Sequence, residues 1–347
     1  MTTFSPANLR NAPPQVAMMM MLGGYRVARA VWGAASIDLA AHLADGPRPI
    51  AELAKLTDTD SDALYRLMRA LASVGVFVEE ENGYFALAEV GECLSATAPD
   101  SALATVAAFG DPWHWQLWGD LTESVRTGAP AFDRRYGCDF FTYCQTHPEL
   151  ARRVNQSKTS VFGASEAAIL DAYDFSGLTR LVEVGYLGGY GSLLAGILRR
   201  YPAAKGVLYD LPVVVEGAAD HLAALGLGER LTAVAGDCLA QVMEGGDAYL
   251  LKGVLHNWDD ERVLQCLGHC REAMDDGARL LVCEMPMPPG NDLFVGKFID
   301  IESLLLTPGG RERTAEEWRG LIEAAGFRVS QVVPTAAPIA VIEALPA

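Results

Sequence analysis

No stretch of the 347-residue chain reaches the ~18 consecutive apolar residues that a membrane span needs. Met1 to Arg10 carries neither the charged start nor the apolar core of a secretory signal. Both absences predict a cytoplasmic protein. Basic residues are scarce as well: 27 Lys and Arg stand against 44 Asp and Glu, for a net charge of −17. That balance opposes a nucleic-acid partner, because phosphate binding needs clustered Lys and Arg. The seven cysteines are odd in number and irregular in spacing, unlike a disulfide framework or a zinc site. Cys266 and Cys270 fall with His269 on one predicted helix, where burial explains them better than ligation. Reduced thiols and no metal are expected.

What the chain does contain is apolar mass, since 50% of its residues are hydrophobic. Its length suggests two domains at the usual ~100–200 residues each. The most informative segment is the turn Val182-Glu183-Val184-Gly185-Tyr186-Leu187-Gly188-Gly189-Tyr190-Gly191, between an apolar run and the helical stretch Ser192 to Arg200. Four glycines at a strand-to-helix turn let backbone amides approach a ligand, and the next helix offers unpaired N–H groups at its start. The spacing is neither G-x-G-x-x-G nor G-x-x-x-x-G-K-[ST], and no lysine follows Gly191, which disfavours nicotinamide and nucleoside triphosphate. A second strand, Gly206 to Asp210, ends in a carboxylate 19 residues past Gly191 (210 minus 191), where a doubly wound fold places its ribose acceptor. A third, Leu231 to Ala235, leads to Gly236-Asp237, and a fourth, Ala248 to Lys252, leads to His256-Asn257-Trp258. Acids at successive strand ends line the edge where open α/β sheets bind ligands.

The N-terminal third reads differently. Residues 49–78 pattern as helix, turn at Thr57 to Ser61, and second helix, followed by the hairpin-like pair Val76 to Val78 and Tyr84 to Leu87, a winged helix-turn-helix. Over 45–92 ten acids face four bases, a net of −6 that repels DNA and leaves a structural or dimerising role. Val16 to Leu43 is helical in pattern and apolar on more than one face, with four consecutive methionines at 18–21, as an interface helix or an ordinary core helix requires. Between the halves, Phe109 to Trp118 holds Trp113, His114, Trp115 and Trp118, rings that wall a pocket or pack a junction.

Several of these segments together resemble the S-adenosylmethionine-dependent small-molecule O-methyltransferases of bacteria and plants, over nearly the whole chain. The resemblance is carried by Gly110-Asp111-Pro112-Trp113-His114-Trp115, Ser124-Val125-Arg126-Thr127-Gly128, Asp171 to Gly177, Asp210-Leu211-Pro212, Leu255-His256-Asn257-Trp258-Asp259-Asp260 and Gly309-Gly310-Arg311-Glu312-Arg313-Thr314. It implies an α/β Rossmann-like doubly wound methyltransferase domain over 166–347, behind a helical winged-helix dimerisation domain over 1–105 and a helical connector over 106–165 that contributes to the substrate pocket. It implies S-adenosyl-L-methionine as cofactor, S-adenosyl-L-homocysteine as product, a small-molecule substrate and a homodimer formed through the N-terminal domain. Glu183 and Gly185 then meet the methionine part of the cofactor, Asp210 the ribose, and Asp237 with Cys238 the adenine region. Gly188, Gly189, Gly191, Leu211 and Gly236 complete that surface, and Lys252 closes it. His256 is the implied general base, flanked by Glu284 and Glu312. The implied substrate pocket comprises Trp113, Trp115, Lys158, Phe162, Asn257, Trp258 and Asp300.

The residue types suit the chemistry independently. A hydroxyl must lose its proton as it attacks a sulfonium-bound methyl group, and imidazole, with a reference pKa of ~6.5, serves as base near neutral pH. Nearby carboxylates orient the ring and raise its pKa. Two departures stand out. The family loop reads Val-Asp-Val-Gly-Gly-Gly-x-Gly, so this chain has two extra residues, placed at Tyr186-Leu187, and Lys158 stands where the family generally has methionine. The expected function is O-methylation of a small aromatic or polyketide-like secondary metabolite. The alternatives are the same fold turned to a non-methylating reaction (pericyclic rearrangement or cyclisation, decarboxylation or hydroxylation) and a regulatory protein using the winged helix.

Overall fold

The computed structural model describes residues 11–98, 101–161 and 163–347. The chain divides into two compact units, Met1–Trp115 and Gln116–Ala347. No helix among the described residues is long and apolar enough to cross a membrane.

The first unit contains the helix Pro14–Ser36. The sequence pattern predicts one helix from Val16 to Leu43, but the chain breaks at Asp38, whose φ of 53° is left-handed, and resumes as the short helix Leu39–His42. Asp tolerates that conformation better than most residues do. The helices Ile50–Leu56 and Ser61–Ala72 follow, the second capped by the Asp60 carboxylate accepting from Ala63 N at 2.8 Å. Strands β1 (Arg48–Pro49), β2 (Phe77–Glu79) and β3 (Tyr84–Leu87) form an antiparallel sheet in the order β1-β3-β2. Helix, helix and hairpin thus make the winged-helix arrangement. Leu39, Leu53, Leu64, Met68, Leu71, Phe77 and Phe85 fill its core.

The second unit is organised by a seven-stranded sheet: β4 (Arg180–Val184), β5 (Lys205–Asp210), β6 (Leu231–Ala235), β7 (Ala248–Lys252), β8 (Arg279–Glu284), β9 (Phe327–Pro334) and β10 (Ala340–Pro346). The order is β6-β5-β4-β7-β8-β10-β9, with β4 to β8 parallel and β10 antiparallel to both neighbours. Every residue of β7 is buried, as a strand covered on both faces requires, whereas β6 and β9 are edge strands with several exposed positions. Leu181, Leu193, Leu194, Ile197, Leu250, Leu281 and Val341 build the core against one face. Each such fully buried aliphatic side chain contributes about 1.5–3 kcal/mol. The Asp247 carboxylate accepts from Thr179 N at 2.6 Å and from Arg180 N at 3.0 Å, tying the start of β4 to that of β7.

That register matters because the chain order reverses between β4 and β7. Chains leaving the carboxyl ends of these two strands diverge, and the crevice between them is where a doubly wound sheet takes its ligand.

Candidate active site

Residues Gly185–Gly191 leave β4 at this crevice. Glu183, on the last turn of the strand, is 6% exposed, and its Oε2 is buried with no hydrogen-bond partner. Burial pushes its carboxyl up to about 7, against the pull of Lys252. Lys252, at the end of β7, forms a buried ion pair with Glu166, which also accepts from Ser192 Oγ at 2.8 Å. Glu166 carries no sequence signal of its own: it lies in an unremarkable helix, Gly163–Ala172, and only the fold brings it to Lys252.

The Asp210 carboxylate, at the end of β5, is fully buried. Its Oδ1 accepts from Leu187 N at 3.0 Å and Leu211 N at 2.7 Å, and its Oδ2 from Gly188 N at 3.2 Å. Burial pushes this carboxyl up to about 6, with those amides holding it down. Gly185 lies so close that a Cβ there would stand 2.1 Å from Oδ2, so only glycine fits. The two extra loop residues point inward: Tyr186 and Leu187 are 7% and 0% exposed. Tyr186 meets Phe141 and Trp258 edge-on, each with 4.9 Å between ring centroids. Leu187 holds a left-handed φ of 54°. Beyond them, Gly189 N donates to Asn155 Oδ1 and Tyr190 N to Thr159 Oγ1, both at 3.1 Å, fastening the loop to the helix Pro148–Val161.

Lys158 sits on that helix between the two anchors. It is half-buried and carries no hydrogen bond or ion pair among the described residues. Burial lowers its pKa; Asp210 opposes the shift and Lys252 adds to it. Burial thus favours the neutral amine, which lies within the field of both strand-end groups.

The second cluster forms where β7 and β8 end. His256 occupies a short turn, Leu255–Asn257, closed by Asn257 Nδ2 donating to Val254 O at 2.8 Å. Glu284, the last residue of β8, accepts through Oε1 from Val254 N at 3.1 Å and Leu255 N at 2.9 Å, and its Oε2 lies 3.0 Å from His256 Nδ1. Glu312 Oε1 lies 3.5 Å from the same nitrogen. Both Glu312 oxygens are buried without a hydrogen-bond partner, and burial pushes this carboxyl up to about 7 despite the neighbouring ring. For His256, burial favours the neutral ring, but Glu284 and Glu312 outweigh it and raise the pKa above 6.5. With carboxylates at Nδ1, the proton resides there and Nε2 carries the basic lone pair.

Glu312 is placed by its neighbours in the chain. Its N–H donates to Asp300 Oδ1 at 2.8 Å, and Arg311 N donates to His256 O at 2.8 Å. A Cβ on Gly310 would meet Thr307 Oγ1 at 2.1 Å and Asn257 O at 3.0 Å, so glycine permits this close approach. Arg313 is fully buried and donates to Trp258 O at 2.8 Å and Asp260 Oδ1 at 2.7 Å while lying over the Trp318 ring. Thr314 and Glu317 then form a capping box that starts the helix Ala315–Ala324. Arg313 is a clamp that the sequence motif contains but does not explain.

Among the described residues, the donor atoms of His256, Glu284 and Glu312 also form the one group spaced for a cation, within 4.8 Å of one another. Glu284 is already engaged by the backbone amides of Val254, Leu255 and His256 and by the imidazole. Gly236 N donates to Asp210 O at 2.9 Å, and Asp237 caps the following turn through Leu239 N at 2.8 Å. Cys238 is buried. Of the remaining expected pocket residues, Trp258 and Asn257 are buried here and Asp300 supports Glu312. Trp113 and Trp115 belong to the first unit, where Trp115 packs under the Arg29 guanidinium. Phe162 lies outside the described residues.

Comparison with known proteins bears on this geometry. Residues 118–328 match the O-methyltransferase domain and residues 19–97 the O-methyltransferase dimerisation domain. The chain belongs to the O-methyltransferase family. It is therefore an S-adenosylmethionine-dependent methyltransferase. It is 38% identical to a phenazine O-methyltransferase of Lysobacter antibioticus over 95% of each chain. It is also 38% identical to a 3-amino-4-hydroxybenzoate 4-O-methyltransferase of Streptomyces cremeus, over 91% of this chain and 86% of that one. The S-adenosylhomocysteine-bound structure of CalO1, a methyltransferase of calicheamicin biosynthesis, is 34% identical over 96% of this chain and 98% of that one, with a TM-score of 0.81.

The residues present fit this cofactor at its amino-acid end. The orphaned Glu183 Oε2 is an acceptor of the kind that the cofactor's ammonium would need, and the glycine turn would give backbone access. Asp210, the carboxylate that the resemblance assigns to the ribose, is covered by the chain's own amides.

Proposed function

We propose that this methyltransferase acts on a hydroxyl of a small aromatic or polyketide-like secondary metabolite, with His256 taking the hydroxyl proton on Nε2 as the new oxygen–carbon bond forms. The supporting observation is an imidazole held through Nδ1 by the buried Glu284 carboxylate, with the buried Glu312 carboxylate 3.5 Å from the same nitrogen. When bound, S-adenosylmethionine supplies an electrophilic methyl group. Glu284 orients the ring, and Glu312 shares the positive charge that the ring acquires. Base catalysis contributes about 10²–10⁴-fold, whereas alignment can remove ~7–11 kcal/mol of a barrier, so positioning carries the larger part.

Lys158 supports a narrower reading, in which the substrate bears a carboxylate or another anion. A half-buried lysine amine without a hydrogen bond or ion pair among the described residues favours an anionic ligand over a neutral one, and the Streptomyces cremeus relative is named for a hydroxybenzoate. Competition between a hydroxybenzoate and its amide tests this. In the Lys158→Met variant the acid is expected to lose about tenfold or more in affinity, the scale of a charge-assisted hydrogen bond, while the amide changes less than about twofold. Equal losses for both probes would remove Lys158 from recognition.

The matched dimerisation domain supports a homodimer. Met18, Met19, Met21, Leu22 and Tyr25 on the helix Pro14–Ser36 are each at least half exposed, an apolar surface that a second copy would cover. Sedimentation of the intact chain at twice its 37.2 kDa mass is expected, and a monomer at micromolar concentration would contradict this.

A further inference from the structure

The ribose acceptor and the loop that should present the cofactor are bonded to each other. Three of the roughly four lone-pair directions of the Asp210 carboxylate are taken by N–H groups of Leu187, Gly188 and Leu211. Gly185 covers Oδ2 from a further side, and no part of Asp210 is exposed. Leu211 is the next residue in the chain and its bond is local. The bonds from Leu187 and Gly188 come from the loop, whose path differs from the family loop by the pair Tyr186-Leu187.

Closure is held by more than these two bonds. The Tyr186 ring packs edge-on against both Phe141 and Trp258, which also meet each other with 6.4 Å between centroids, and the outer half of the loop is fastened through Asn155 and Thr159. Opposing this, Leu187 sits in a left-handed conformation that a branched apolar residue rarely adopts. The loop is therefore closed by contacts and strained in its backbone, as a segment with a second arrangement is.

We infer that the Tyr186–Leu187 insertion makes the glycine loop a self-binding gate, in which the amides of Leu187 and Gly188 compete with the cofactor's ribose hydroxyls for Asp210. Cofactor binding requires the pair to leave Asp210, with Tyr186 withdrawing from its contacts with Phe141 and Trp258. Apparent affinity is then the intrinsic affinity multiplied by the fraction of open loop. A loop open one tenth of the time weakens binding about tenfold. Glu183 and Asp210 have separate tasks on this account: Glu183 waits with a free oxygen, and Asp210 is released.

The test is calorimetric titration of the full chain with S-adenosylhomocysteine, beside hydrogen exchange of residues 185–190. Deleting Tyr186 and Leu187 is expected to tighten binding by about tenfold or more, and Tyr186→Ala, which keeps the loop length, by a smaller factor in the same direction. In the intact chain, ligand is expected to speed exchange at Leu187 and Gly188, because their acceptor is withdrawn. A ligand clamped by a loop already in place would slow it. Unchanged or weaker binding by both variants, or slower exchange of these amides on binding, overturns the gate. Failure of every form of the chain to bind S-adenosylhomocysteine would instead count against the cofactor assignment on which the inference rests.

Discussion

Replacing His256 by alanine is expected to lower kcat by about 10²–10⁴-fold while leaving S-adenosylhomocysteine affinity within about twofold. The asymmetry follows from position. His256 lies on the turn after β7 with its ring bonded to Glu284 and near Glu312, whereas the cofactor's implied contacts are Glu183, Asp210 and the glycine loop. The reaction should also show the ring's protonation. Because Glu284 and Glu312 raise the His256 pKa, more of the ring is protonated at neutral pH than in free imidazole. Only the neutral ring accepts a proton, so kcat/KM should rise with pH through a value above 6.5 and fall on the acid side. Stopped assays of methyl transfer from pH 5.5 to 9 would measure this limb. An unchanged kcat in His256→Ala, or a flat profile, would exclude the ring as base.

Glu284→Gln should be nearly as damaging, for a reason specific to its two oxygens. Oε1 accepts from the amides of Val254 and Leu255, so the glutamine oxygen must occupy that side. Its NH₂ group then faces His256 Nδ1, where an acceptor stood. Two donors cannot share that position, so the imidazole proton moves to Nε2 and the basic lone pair is lost from the substrate side. A wrong tautomer of this kind costs about 10⁴-fold in a serine protease triad, and a fall of ~10²–10⁴ in kcat is expected here. Losing the carboxylate also lowers the His256 pKa, moving the acid limb of any residual activity to lower pH. Nitrogen-15 shifts of the ring would report the tautomer directly. Retained activity with the proton still on Nδ1 would show that Glu284 only holds the turn. Glu284→Ala has a different fate: two buried amides lose their acceptor, at about 1–3 kcal/mol each, so it should melt at lower temperature than the glutamine variant.

Much of this was legible in the sequence because the signals are local. Strands β4 to β7 appear as short apolar runs ending at Val184, Asp210, Ala235 and Lys252, the hairpin β2–β3 as the paired runs Val76 to Val78 and Tyr84 to Leu87, and the turn around His256 as a motif. What escaped depends on contacts between distant segments. Glu166 joins Lys252 across 86 residues, Arg313 joins Asp260 and the Trp258 carbonyl, and Asn155 and Thr159 hold the loop. None of these partners has a spacing that marks it. The β9–β10 hairpin is not marked by alternation either, because β10 is buried without a break from Ala340 to Ala344. The inserted pair Tyr186-Leu187 was visible as extra length, but only the fold shows it buried, with its backbone on Asp210.

The account turns on methyl transfer with proton removal by His256, and the most direct measurement follows a labelled methyl group. The intact chain is incubated with methyl-labelled S-adenosylmethionine and a panel of hydroxylated aromatic acids, and products are resolved by mass. Label on a hydroxyl oxygen, formed with equimolar S-adenosylhomocysteine and lost in His256→Ala, is the predicted result. Conversion of a panel member without label, at the same rate when the cofactor is omitted, would contradict it and favour a non-methylating reaction on this fold.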